Sequence, residues 1–357
     1  MKHNIDSSLG RELISDGKSY LYFGGTSYLG LQNNTEFQEI LIKNIRKYGT
    51  NYGASRKANV QFSVYEKAEN YLADFVGSEA CVTLSSGYLA GQMVSGYFNN
   101  AQYKVFYAPN AHPALYQSHG PENRSYTELN IAIRKYLALE NEQKPVLFLD
   151  SIDFTGLNYP DFEGLQTLPL DKIIVVADDS HGIGIVGENG NGVFKIIKEF
   201  KPKELIVCSS LGKSLAAQAG AIFGSRTRIE DFKNSSFFGG ASPASPANLA
   251  TVLSTKDIFS RQLKKLRQNI KLFVRQCDNP DRFIYLKNHP VFSYQNTDLS
   301  RFLADNYVIV TSFNYPKPDS PVVNKIVLTV AHINEDINKL AELVNKFNQH
   351  PTKRPHL

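Results

Sequence analysis

The chain has 357 residues, 42% hydrophobic and 20% charged, with 19 Tyr and 22 Phe, which is enough to bury the core of one large domain or two unequal ones and excludes a disordered chain. The net charge is +5, but the basic residues are scattered through runs such as 43–47 and 261–267, so solvated helix faces are expected and a nucleic-acid footprint is not. No apolar run reaches the length of a membrane span, residues 1–6 carry no apolar leader region, and Cys81, Cys208 and Cys277 lack metal-ligand spacing, so a reducing cytoplasm with no membrane partner is expected.

In chain order, the periodicity predicts a helix over 63–76, a buried strand over 80–84 and a helix over 88–99. A strand over 104–107, a helix over 127–142 and strands over 145–149, 173–177, 204–208 and 220–223 follow. The strands are almost continuously apolar, as a sheet covered on both faces requires. Alternation of this kind predicts an α/β domain with a mostly parallel open sheet, placed at residues 46–240. After Pro246 the texture changes: one or two long helices over 248–279, short strands over 283–286, 307–310 and 325–330, and a closing helix over 335–348. These predict a smaller α+β C-terminal domain, residues 241–357, joined by residues 1–45.

Chemistry gathers at the strand ends. Leu84-Ser-Ser-Gly-Tyr88 follows a strand and opens a helix, so free backbone N–H groups and the helix dipole make an anion site, with Gly87 allowing close approach; an ordinary capped turn reads the same way. His112 follows the strand over 104–107 and either lies against a bound ring or is a solvated loop histidine. Asp178 ends the strand over 173–177, where open α/β sheets bind ligands, and His181 is three residues on. Lys213 lies just past the strand over 204–208, among small and apolar residues that favour a desolvated, neutral amine, and Ser210 offers a hydroxyl nearby. An acid able to pair with a pyridinium nitrogen and an amine able to form an imine are the two groups a pyridoxal phosphate enzyme must supply.

Taken together, these motifs resemble the α-oxoamine synthase family of fold type I pyridoxal 5'-phosphate (PLP) enzymes, which includes 8-amino-7-oxononanoate synthases and 2-amino-3-ketobutyrate CoA ligases. The similarity runs through Tyr28-Leu-Gly-Leu31, residues 48–56, Phe75-Val-Gly-Ser-Glu-Ala80, Ser85-Ser-Gly-Tyr88, Asp178-Asp-Ser-His-Gly182, residues 184–192 and Ser210-Leu-Gly-Lys213, and weakly to Thr329-Val-Ala-His332. The resemblance implies that Lys213 attaches the cofactor, Asp178 pairs with its ring nitrogen, His181 contacts its phenolic oxygen and His112 stacks on the ring. It also implies phosphate contacts from Ser86, Gly87, Tyr88 and Ser210, a contribution of Ser242 to the neighbouring subunit of a homodimer with shared active sites, and substrate contacts from Arg56 and Lys325.

The chain departs from the family pattern at Thr26-Ser27, at Gln61-Phe-Ser-Val-Tyr-Glu66, at Asp150-Ser-Ile-Asp153 and at Val323-Asn-Lys325, where a lysine lacks the bidentate fork of an arginine. The implied activity is condensation of a small amino acid, L-alanine or glycine, with an acyl thioester, with decarboxylation, as in biotin precursor synthesis. An aminotransferase, or another PLP enzyme of this fold with a different substrate, is the alternative.

Overall fold

Buried apolar runs decide where the chain becomes sheet, and the computed structural model describes residues 3–116, 120–139 and 141–349. Glu140, within the expected helix over 127–142, and the last residues of the expected C-terminal domain lie outside the described residues. Near the start, β1 (Glu12–Ser15) and β2 (Lys18–Phe23) form an antiparallel pair. Next come β3 (Ala80–Leu84), β4 (Tyr103–Tyr107), β5 (Lys144–Asp150), β6 (Ile174–Asp178), β7 (Glu204–Ser210) and β8 (Gly220–Gly224). Last are β9 (Ile284–Tyr285), β10 (Val291–Tyr294), β11 (Val308–Asn314) and β12 (Val322–Val327). Contacts divide the chain into two units: Asn34–Phe259, and a second unit that runs to Asn33 and resumes at Ser260.

In the larger unit the strand order is β3-β8-β7-β6-β5-β4, and β4 to β7 pair in parallel while β8 runs against both its neighbours. On one face Val82, Val146, Phe148, Ile174, Val176, Ile206 and Ile222 pack with Met93, Val94 and Phe98 of the helix Gly87–Phe98. On the other face Leu147, Leu149, Val175, Ala177 and Val207 are also buried. Burial on both faces is why these strands carry no polar alternation. The parallel strands all end at the same edge, so the segments after β4, β5, β6 and β7 meet there, the position where open α/β sheets hold ligands. Two helices of this unit, Thr35–Tyr48 and Pro246–Ser254, pack together, and Asn44 Nδ2 donates to Thr251 Oγ1 at 3.0 Å.

The smaller unit holds a sheet of order β1-β2-β11-β12-β10-β9, in which only β2 and β11 pair in parallel. Inside it, His332 stacks on Phe23 with ring centroids 3.9 Å apart, and burial pushes its imidazole down to about 4, so the ring is neutral at pH 7. Among the described residues, no helix is long and apolar enough to cross a membrane, and no group of three His, Cys, Asp or Glu side chains is placed to hold a metal ion.

Candidate active site

Lys213 is carried by the loop that joins β7 to β8, and that loop is tightly built. Its mouth is closed by Leu211 N–H donating to Ala219 O at 2.9 Å and Ala217 N–H donating to Leu211 O at 3.2 Å. Leu211, Ser214, Leu215 and Ala217 are buried, which anchors the segment on both sides of the lysine. The amine lies 2.8 Å from His181 Nε2, a hydrogen bond whose direction follows the imidazole tautomer. His181 in turn meets the ring of Phe154 edge-on, with centroids 4.8 Å apart at 77°. Burial lowers the Lys213 amine below the usual lysine range, while Asp178 and Asp150 pull it partly back.

Asp178 ends β6, and its Oδ1 accepts the Ser180 N–H at 2.8 Å. Its Oδ2 accepts no hydrogen bond among the described residues, so one carboxylate oxygen is available to a ligand. Its neighbour Asp179 turns inward instead, accepting from Ser151 Oγ at 2.6 Å and Val193 N–H at 3.1 Å. Burial pushes the Asp179 carboxyl up to about 7. The two consecutive acids therefore divide their work: the second holds loops together and the first faces the lysine. Ser180 Oγ completes the arrangement by accepting the Ser210 N–H at 2.8 Å, linking the β6 and β7 ends.

Ser86 caps the helix Gly87–Phe98, its Oγ accepting the Leu89 N–H at 3.1 Å. The first-turn N–H groups of Gly87 and Tyr88 have no intrahelical partner, and the Tyr88 side chain is exposed. Gly87 is required by protein packing as much as by any ligand, because a Cβ there would stand 2.4 Å from Ser210 Cβ and 2.7 Å from Ser210 N. A Cβ on Gly220 would meet Ser86 O at 2.1 Å, so glycines on both sides let the helix start press against β7 and β8. The result places Ser86, Gly87 and Ser210 side by side. Ser242 is exposed, and its carbonyl accepts the Ser85 N–H at 3.1 Å. His112 caps a short 3-10 turn, its Nδ1 accepting the Ala114 N–H at 3.1 Å.

Arg56 and Lys325, the two residues expected to meet substrate, have different surroundings. Arg56 is held internally: its guanidinium pairs with Glu69 at 2.8 Å, donates to Thr83 Oγ1 at 3.3 Å and lies over the Tyr65 ring at 3.9 Å. Lys325 stands on β12 of the smaller unit, in register with Ser293 and Thr311. Sequence reasoning did not single out Asp150 or Phe154 as site residues. Asp150 ends β5 in register with Asp178, and its carboxyl accepts the His112 backbone N–H. Phe154 has φ 56°, held by Asp153, whose carboxylate accepts from Thr155 Oγ1 at 2.6 Å, Gly156 N at 3.1 Å and Leu157 N at 3.2 Å. An acid at the same strand-end position as Asp178 was the available signal for Asp150.

Known proteins share the fold and sequence pattern of this chain over nearly its whole length. The 8-amino-7-oxononanoate synthase of Thermosipho melanesiensis is 24% identical over 97% of this chain and 92% of its own length. A K265A serine palmitoyltransferase from S. paucimobilis, with a bound PLP–myriocin aldimine, superposes with a TM-score of 0.81 at 16% identity, covering 98% of this chain and 92% of the other. The 8-amino-7-oxononanoate synthase structure from Francisella tularensis gives 0.68 at 17% identity, covering 93% and 98%. Residues 19–344 match the aminotransferase class I and II family, and the chain belongs to that family.

Proposed function

We propose that the chain is a PLP-dependent acyltransferase of the 8-amino-7-oxononanoate synthase type, joining a small amino acid to an acyl thioester with loss of CO2. One observation carries the reading: a desolvated lysine amine, 2.8 Å from His181, faces Asp178, whose Oδ2 has no hydrogen-bond donor among the described residues. The full-length likeness to proteins named 8-amino-7-oxononanoate synthase supports acyl transfer over other chemistries of the fold.

The donor set suits the cofactor. An amine that burial makes easier to deprotonate can attack an aldehyde, a carboxylate oxygen with no donor among the described residues can accept a ring N–H, and two helix-start N–H groups beside the Ser210 hydroxyl can take a phosphate. When bound, PLP supplies an aldehyde for covalent attachment and a ring that accepts electron density from the substrate carbon losing a proton. Lys213 Nζ would hold the cofactor at its aldehyde carbon and is placed to take the α-proton of the amino acid. Asp178 would pair with the ring nitrogen, and His181, which holds Lys213 in place, would serve the phenolic oxygen. Ser86, Gly87, Tyr88 and Ser210 would hold the phosphate, and His112 would lie against the ring. On charge alone, Lys325 is assigned to the substrate carboxylate, whereas Arg56 serves the Glu69 pair. Ser242, with its exposed hydroxyl, is assigned to the phosphate of the second subunit in a homodimer. The three buried, unpaired cysteines suit work in a reducing cytoplasm.

The test is a thioester panel with L-alanine or glycine. Release of free CoA together with CO2 supports the reading. Failure with every acyl-CoA and acyl-carrier donor contradicts it, and a stable pyridoxamine form after amino acid alone indicates transamination instead.

A further inference from the structure

Asp150 reaches three of the site's other strand ends. It is the register partner of Asp178 on the adjacent parallel strand, so both side chains leave the sheet on the same face, on strands about 4.8 Å apart. It accepts the backbone N–H of His112, from the segment after β4, and faces Lys213, from the loop after β7. Its own loop adds Asp153. We propose that Asp150 is a positioning residue that shares one proton with Asp178, so that the pair presents a single negative charge to the ring nitrogen and to Lys213. The proposal rests on the reading of Asp178 as the partner of that nitrogen.

Two carboxylates side by side in a buried site disfavour each other's charge. The proton belongs on Asp150, because burial first and the Asp178 charge second hold its carboxyl well above the usual range, with Asp153 adding to this and Lys213 and the His112 N–H opposing. Were both acids charged, they would hold Lys213 as an ammonium ion, which cannot attack an aldehyde. With one charge between them, Asp150 still accepts the His112 N–H while Asp178 stays available to the ring nitrogen. If Asp178 is neutralised, Asp150 is left free to take up the charge.

The test uses the full chain, without cofactor or thioester, in four forms: parent, Asp150→Asn, Asp178→Asn and the double variant. Competitive acetylation of Lys213 across pH, read by peptide mass spectrometry, gives the pH at which its amine titrates. The expected result is little movement in either single variant and a fall of about one pH unit or more in the double, where no charge remains. A comparable fall in Asp150→Asn alone means that both acids are charged in the parent and overturns the proposal. A fall in Asp178→Asn as large as in the double means that Asp150 never takes the charge, and overturns it too. Asp150→Ser gives the same comparison should the amide not be tolerated. Because no cofactor or substrate is present, failure here leaves the acyltransferase reading standing, and failure of that reading shows separately in the thioester panel.

Discussion

Lys213 Nζ and His181 Nε2 lie 2.8 Å apart although 32 positions separate them in the chain. The contact exists because β6 and β7 are parallel neighbours, so the turn after one and the loop after the other leave the sheet together. His181 is fixed from its other side by Phe154. His181→Ala therefore frees the amine without removing it. Acyl transfer is expected to fall roughly 100-fold, within the range for a positioned proton-handling group, while the cofactor still attaches to Lys213. Steady-state kinetics over a pH series check this, and an unchanged rate and pH profile would show that the imidazole is a bystander.

Gly87 is where helix packing and phosphate binding coincide. Gly87→Ala places a methyl group 2.4 Å from Ser210 Cβ and 2.6 Å from Ser210 Cα, so either the helix start or β7 must move. The expected cost is about 1–3 kcal/mol of stability, with weaker PLP binding in a fluorescence titration. A variant that melts and binds like the parent would mean that the helix start is not pressed against β7.

Arg56 separates a structural role from a substrate role. With the Glu69 side chain 6% exposed and Arg56 9% exposed, Arg56→Ala leaves a buried carboxylate without its cation, held only by the Thr83 N–H and hydroxyl. A loss of about 3–5 kcal/mol is expected, read as a lowered Tm, with KM for the amino acid little changed in whatever folded enzyme remains. A raised KM at unchanged Tm would return Arg56 to the substrate.

Asp179 makes stability depend on pH in a defined direction. Its carboxyl is raised to about 7, so the folded chain keeps a proton that the unfolded chain has lost above about 4. Its contribution is full below about 4 and disappears as pH rises to about 7. The parent's Tm is expected to fall across that interval relative to Asp179→Asn, which also loses an acceptor for the Val193 N–H and is less stable throughout. A parent-to-variant difference that stays flat from pH 4 to 7 contradicts this assignment.

How much of this was legible in the sequence depended on whether a signal was local. The runs 145–149, 173–177 and 204–208 identify β5, β6 and β7 because strands buried on both faces cannot hide their apolarity. Asp178 and Lys213 stand out because each follows such a run. By contrast, β1 and β2 are short and half polar and β10 is only four residues long, so nothing local separates them from loop. Asp150 was marked only as a departure in a motif, since its pairing with Asp178 depends on which strands are neighbours. Glu69 is thirteen positions from Arg56, and only the fold shows that the two pair. Gly87 was expected to admit a ligand, and the structure adds the pressure of Ser210, a residue far along the chain.

The attachment point itself offers the most direct measurement. After incubation with PLP, the protein is reduced with borohydride and its peptides are mapped. A pyridoxyl group on Lys213, present in the parent and absent from Lys213→Ala, is the predicted result. A label on another lysine, or none at all, would contradict the account.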